Sequence, residues 1–198
     1  MTTSVLLRSV FTTIIVIVAT TAQAGSPQPK GMAFPGMINQ YESSDGTYAL
    51  INVDPSGKGD NTHKLFLYNK HMRQKTMLME YTRHVRALWS PRGRTLVITD
   101  YSASNASSVE LYIIRKEVTR VDILSSLRVC SKEVAGFLQN EHVYLEAMDW
   151  LNTGELVLRL RGYGDRTPKS FEIRFALRIP AKQSAARIVC SRFRRLVE

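Results

Sequence analysis

The feature that most constrains this chain is a segment that recurs three times. Ala87-Leu88-Trp89-Ser90-Pro91-Arg92-Gly93-Arg94-Thr95-Leu96-Val97-Ile98 reads as a strand, a tight turn and a second strand. Proline presets φ in such a turn, and glycine supplies a positive φ. The flanking residues are apolar and rich in β-formers. Weaker copies occupy residues 41–51, around Ser43, Asp45 and Gly46, and residues 148–158, around Trp150 and Gly154. A hairpin repeated at intervals along one chain points to an all-β architecture of consecutive antiparallel meanders.

The surrounding residues fill in four strands for each copy. In the first repeat the strands are expected at 37–41, 48–53, 63–68 and 76–81, with polar loops at 54–61 and 69–75. In the second they are expected at 85–90, 95–101, 109–114 and 120–123. The interval from Gly46 to Gly93 is 47 residues, and that from Leu65 to Leu111 is 46. The third copy comes late, since Gly93 and Gly154 are 61 residues apart. The excess lies in 124–141, where Leu124, Leu127, Val134, Phe137 and Leu138 recur at helical spacing and predict a short amphipathic insert. Strands are then expected at 143–149, 155–161, 170–179 and 186–190, followed by a basic tail at 192–198.

Residues 1–24 read as a secretory signal peptide. Arg8 closes a positive start, 10–19 is an apolar run shorter than a membrane span, and Ala22-Gln23-Ala24 is a small-x-small cleavage signal before Gly25. The competing reading is an uncleaved anchor. The mature chain is expected in the periplasm or outside the cell, with no transmembrane helix. Residues 25–36 contain Pro27, Pro29 and Pro35 and read as an extended leader without ladder capacity, with structure expected from about Met37. Cys130 and Cys190 are the only cysteines. Export leaves two alternatives open, a bridge between them or two buried thiols.

The Trp89-Ser90-Pro91-Arg92-Gly93-Arg94-Thr95-Leu96 unit resembles the W-S-P-D-G-K-x-L core of TolB-type, WD-like β-propeller repeats. Arg92 departs from it, standing where that family usually has Asp. The first copy lacks the Trp and Pro, and the third lacks the Ser-Pro. The resemblance spans about residues 37–191. It implies three four-stranded blades, in which Gly46, Trp89, Gly93, Trp150 and Gly154 define the repeats. A closed propeller needs four to eight blades. Three leave faces and edges to be covered by a capping insert, a second chain or another protein; the alternative is that the three sheets pack into one compact irregular β domain.

No motif of chemistry accompanies the repeats. His63, His71, His84 and His142 lack metal-ligand spacing. Residues 54–60 lack the spacing of a calcium loop, and Gly57-Lys58-Gly59 lacks that of a phosphate loop. No nucleophile elbow or paired Cys and His is present. Neither an enzyme nor a cofactor is expected. Trp89 and Trp150, at equivalent places in the repeat, are expected in the core rather than stacked on a sugar or base.

Charge supplies the remaining signal. The chain has 27 Lys+Arg against 17 Asp+Glu, a formal +10; losing Arg8 with the signal peptide leaves +9. Such a balance favours anionic partners, and export makes nucleic acid an unexpected one. In a four-stranded meander the turns after strands one and three share one end. This places Lys70, Arg73, Lys75, Arg92, Arg94, Arg115, Lys116, Arg178 and Lys182 together, with Asp45, Glu117 and Glu155 as the acids among them. The opposite end is expected to carry Asp54, Asp60, Asp100 and Asp165 with Lys58, Arg166 and Lys169. The expected function is a non-catalytic interaction module with a protein partner or self-association. The second reading is binding of an anionic envelope component, such as lipopolysaccharide, phospholipid or an acidic polymer, through the basic end.

Overall fold

The computed structural model describes residues 30–57, 59–139, 142–164, 170–179, 190 and 193–196. The chain is mostly β, and its strands pair chiefly antiparallel. Strands β2 (Gln40–Glu42), β3 (Tyr48–Val53), β4 (His63–Asn69) and β5 (Gln74–Tyr81) form a four-stranded sheet in that order. Strands β6 (Val85–Trp89), β7 (Thr95–Asp100), β8 (Ala106–Ile114) and β9 (Val118–Asp122) pair in succession. So do β10 (His142–Trp150), β11 (Glu155–Tyr163), β12 (Phe171–Arg178) and β13 (Phe193–Leu196).

The second and third runs are not separate sheets. β10 pairs in parallel with the start of β8, Val143 opposite Ala106 and Tyr144 opposite Ser107, which makes one nine-stranded sheet. Topology explains the direction: β9 returns the chain to the end where β8 began, so β10 starts there and runs the same way. The connection is the expected helical insert, resolved into α1 (Ile123–Cys130) and α2 (Lys132–Phe137). Asp122 caps α1 by accepting the Ser125 amide, and Ser131 caps α2 by accepting the Val134 amide.

Two further expectations are corrected. Within the leader, β1 (Met32–Phe34) pairs antiparallel with β6, and Phe34 is fully buried. Proline suppresses a ladder only where its missing N–H is needed. Pro27 and Pro29 precede the described residues, and Pro35 falls just past the strand. The tail is not merely a basic extension either, because β13 within it covers the edge of β12. Of the strand expected at 186–190, only Cys190 is described, and it is not in a strand.

Apolar alternation places the middle run between two cores. β7 sends Leu96 and Ile98 into a core shared with Leu50, Leu65, Leu67 and Tyr81 of the first sheet. Its Val97 enters a second core with Leu127, Val134, Leu145, Leu158 and Phe175. A strand buried on both faces must be apolar throughout, which explains the uninterrupted run Leu96-Val97-Ile98. Each such side chain contributes about 1.5–3 kcal/mol by burial. Cys130 and Cys190 form a disulfide, with Cα atoms 4.9 Å apart, so the reading of two free thiols does not hold.

Candidate functional site

The three repeat turns have one design. The Gly46, Gly93 and Gly154 amides donate to the carbonyl oxygens of Ser43, Ser90 and Leu151 at 2.9, 2.9 and 2.8 Å. All three glycines have positive φ: 70°, 69° and 79°. Ser43 Oγ accepts the Tyr48 amide at 2.9 Å, and Ser90 Oγ accepts the Thr95 amide at 3.1 Å. Leu151 has no hydroxyl, and its hairpin is one residue tighter, closing on Glu155 at 2.8 Å.

Within each run the expected turns share an end. The Lys70 amide donates to Thr47 O at 3.1 Å, and the Ile114 amide to Arg94 O at 3.0 Å. Arg178 reaches Glu155 at 3.5 Å. The first two runs are joined at this end by Ser44 Oγ, which donates to Ser90 O at 2.7 Å.

The expected cations are not electrostatically equivalent. Lys70 is spent on Glu42, 2.7 Å away. Arg178 shares Glu155 with Arg194. Arg73, Lys75, Arg92, Arg94 and Lys116 are exposed and make no ion pair among the described residues. Arg115 is exposed and engaged in interactions of its own. Lys182 lies outside the described residues. Two acids here, Glu42 and Glu155, are held ionised. Glu42 lies below the ordinary carboxylate range through the Lys70 hydrogen bond and charge. Glu155 is also lowered, first by the Thr153 hydroxyl and then by Arg194 and Arg178, against the opposing effect of burial. Sequence reasoning missed Glu42 and Arg194. The missing signal for Arg194 was a register: β13 places it opposite Ala176 on β12.

The opposite end carries Asp54, Asp60 and Asp100 of the expected set, and a feature that set did not include. Each of the three runs closes a hairpin there with a stacked His–Tyr pair: His63 on Tyr81, His84 on Tyr101 and His142 on Tyr163, with ring centroids 5.0, 4.3 and 4.2 Å apart. Asp54 accepts from Asn52 and meets His63 Nδ1, while Asp60 accepts the Thr62 amide. Asp100 is pushed upward by burial and by the nearby Glu110. Asp165, Lys58, Arg166 and Lys169 lie outside the described residues. Buried Glu146 accepts from the Tyr101 hydroxyl at 3.1 Å, from Arg159 at 2.8 Å and from Arg161 at 3.1 Å, fastening the end of β7 to β10 and β11. Burial pushes its carboxyl up, but the two guanidiniums outweigh burial and hold it below the ordinary range.

Trp89 is 5% exposed in the first core, and its Nε1 donates to Tyr41 O at 3.2 Å. Trp150 packs half-buried on the second core, its buried Nε1 without a partner among the described residues. Trp89, as a core side chain, has no ring face open for ligand stacking. No three His, Cys, Asp or Glu side chains gather at metal-holding distance among the described residues. A cleft of about 340 Å³ opens between the loop before β8, the start of β8, α1 and the start of β10, with Arg128 and several serines in its wall. No described helix is long and apolar enough to cross a membrane. In comparisons with known proteins, no family model and no curated protein matches this chain.

Proposed function

We propose that this chain is a non-catalytic, exported interaction module built on propeller-like meanders, whose partner is a protein. The observation that carries this reading is one uncovered sheet face. The middle run is covered on both sides, whereas the first is covered on one. Its outer side carries the cross-strand row Ile51–Phe66–Met77. Met77 is 55% exposed and Val53, on the same face, 43%. Large apolar side chains left exposed together mark interaction sites. Lys64 with Glu80 and Lys70 with Glu42 place charge around them, as on the polar rim of an interface. The test is Met77→Lys, which changes an exposed side chain and leaves both cores intact. Proteins co-purifying from envelope extract, or self-association in sedimentation, should be lost while the melting temperature holds. A protein that is monomeric and carries the same companions with and without the substitution overturns the reading.

A second reading is favoured by a separate observation, the exposed cations of the turn end. Arg73, Lys75, Arg92, Arg94 and Lys116 suit docking to an anionic envelope component by long-range attraction. Such attraction is screened over about 8 Å at physiological salt. Reversing Arg92, Arg94 and Lys116 together should weaken binding to anionic vesicles, and added salt should do the same. Binding indifferent to both sinks this reading.

A further inference from the structure

We infer that Arg178 and Arg194, braced by Glu155, form a phosphate-binding fork at the turn end of the third run. The inference rests on the second reading above and names the chemistry that the cationic end would take.

Glu155 is placed by the repeat itself. It follows Gly154 and stands opposite Arg178 across the β11–β12 ladder. Its side chain is 8% exposed, and Thr153 Oγ1 donates to Oε2 at 3.0 Å. Arg178 Nη2 approaches Oε1 at 3.5 Å, and Arg194 Nη2 approaches Oε2 at 3.2 Å. The arginine side chains are 66% and 58% exposed. The acid therefore sits at the base, and two guanidiniums lean over it toward solvent.

Three consequences follow from this arrangement. The site has two positive charges and one negative, so it keeps a net attraction for an anion. The shared carboxylate lies between the two guanidiniums and offsets their mutual repulsion, which would otherwise drive them apart. Arg194 is held by a hydrogen bond through one nitrogen and Arg178 by charge at 3.5 Å, which leaves further N–H donors on both in planar forks that match phosphate oxygens bidentately. A lysine pair has equal charge and lacks this geometry. Holding donors in place before binding reduces the ordering cost of association. The ligand class is a terminal phosphate group, whether free in solution or displayed on a lipid headgroup.

The experiment compares the purified protein with Arg178→Lys/Arg194→Lys, which preserves net charge. Pyrophosphate binding is followed by calorimetry. Binding to phosphatidic acid vesicles is followed by sedimentation against phosphatidylcholine vesicles. The wild-type protein should bind at least one phosphate probe, and the lysine pair should bind it about tenfold more weakly at an unchanged melting temperature. If the double variant is unstable, Arg194→Lys alone should show a smaller loss of the same kind. Pyrophosphate binding identifies a free phosphate ligand, and vesicle binding alone identifies a headgroup. Absence of binding to either probe, or equal binding by the lysine pair, overturns the fork. If the lysine pair binds normally while reversal of Arg92, Arg94 and Lys116 abolishes binding, the cationic end stands and the fork falls.

Discussion

Ser44 donates its hydroxyl to the carbonyl oxygen of Ser90 across 2.7 Å, locking the first repeat turn onto the second. The same contact brings Asp45 against Gly93. A Cβ at Gly93 would lie 2.4 Å from Asp45 Oδ1, closer than real Cβ atoms come. The turns are thus both repeat markers and a packed joint between two sheets.

The joint ranks three substitutions that sequence alone treats as equal. Gly46→Ala and Gly154→Ala meet no atom within 4 Å, so only the left-handed backbone opposes them, at about 1–2 kcal/mol. Gly93→Ala adds the collision with Asp45 and should be clearly the most destabilising. Urea unfolding of the three variants checks the order. Equal losses at Gly93 and Gly46 would remove the joint from the account.

The two tryptophans should respond differently to the same changes. Trp89→Ala should cost about 3–5 kcal/mol, because it empties a packed core position. Trp89→Phe gives up the bond to Tyr41 O and should cost about 1 kcal/mol from that loss, plus whatever the smaller ring leaves unfilled. Trp150→Phe breaks no bond among the described residues and removes a buried unpaired N–H, so it should be the milder of the two. Thermal unfolding of the two phenylalanine variants settles the comparison, and a larger loss at Trp150 would contradict it.

Acid should destabilise the protein in two stages. His84 is exposed, yet partial desolvation lowers its imidazole from the ordinary value, and the Arg83 and Arg86 charges lower it further. The unfolded chain therefore takes up that proton first. Stability present above about pH 6.5 falls as pH drops toward the folded value. Glu146, with its lowered carboxyl, contributes stability above about pH 4.3 that is lost as pH falls through its folded value. His84→Gln should flatten the upper stage, and Glu146→Gln the lower. Denaturant midpoints from pH 7.5 to 3 measure both, and an unaltered upper slope in His84→Gln would contradict the assignment.

Removing the disulfide should be costly. Cys130 and Cys190 are 60 residues apart in sequence and tie α1 to the chain just before β13. The chain-entropy model gives about 4 kcal/mol for a loop of that length. Reduction, or Cys130→Ser with Cys190→Ser, should lower the denaturant midpoint accordingly. An unchanged midpoint under reducing conditions would show that the bridge constrains nothing in the unfolded chain.

The most legible strands were those with strong local pattern. Residues 48–53 were expected as a strand, and β3 has those bounds, because the turn at Gly46 and the Asp54-Pro55 loop delimit them. β1 was not legible, since Met32-Ala33-Phe34 lies among prolines and glycines, and its burial depends on the free edge of β6 far along the chain. β13 was hidden for the opposite reason. Phe193-Arg194-Arg195-Leu196 is too basic to suggest a strand, yet an edge strand tolerates long charged side chains that reach water. The charged sites divide in the same way. Lys70, Arg92, Arg94 and Arg178 could be assigned to one end by counting strand directions, whereas the pairing of Lys70 with Glu42 and of Arg194 with Glu155 depends on register.

By itself the sequence determined the repeat: a hairpin with glycine at positive φ, met three times, each within a run of strands whose alternation suits a sheet. Those are local facts, set by backbone sterics and by which side chains avoid water. Only the tertiary structure decided that the second and third runs share one sheet through β8 and β10, that the leader and tail supply strands, and that Glu155 gathers arginines from two strands, β12 and β13. These outcomes depend on free sheet edges and on charges brought together across dozens of residues. A hydrogen-bonding edge accepts almost any backbone, so local side-chain pattern does not reveal which segment will occupy it.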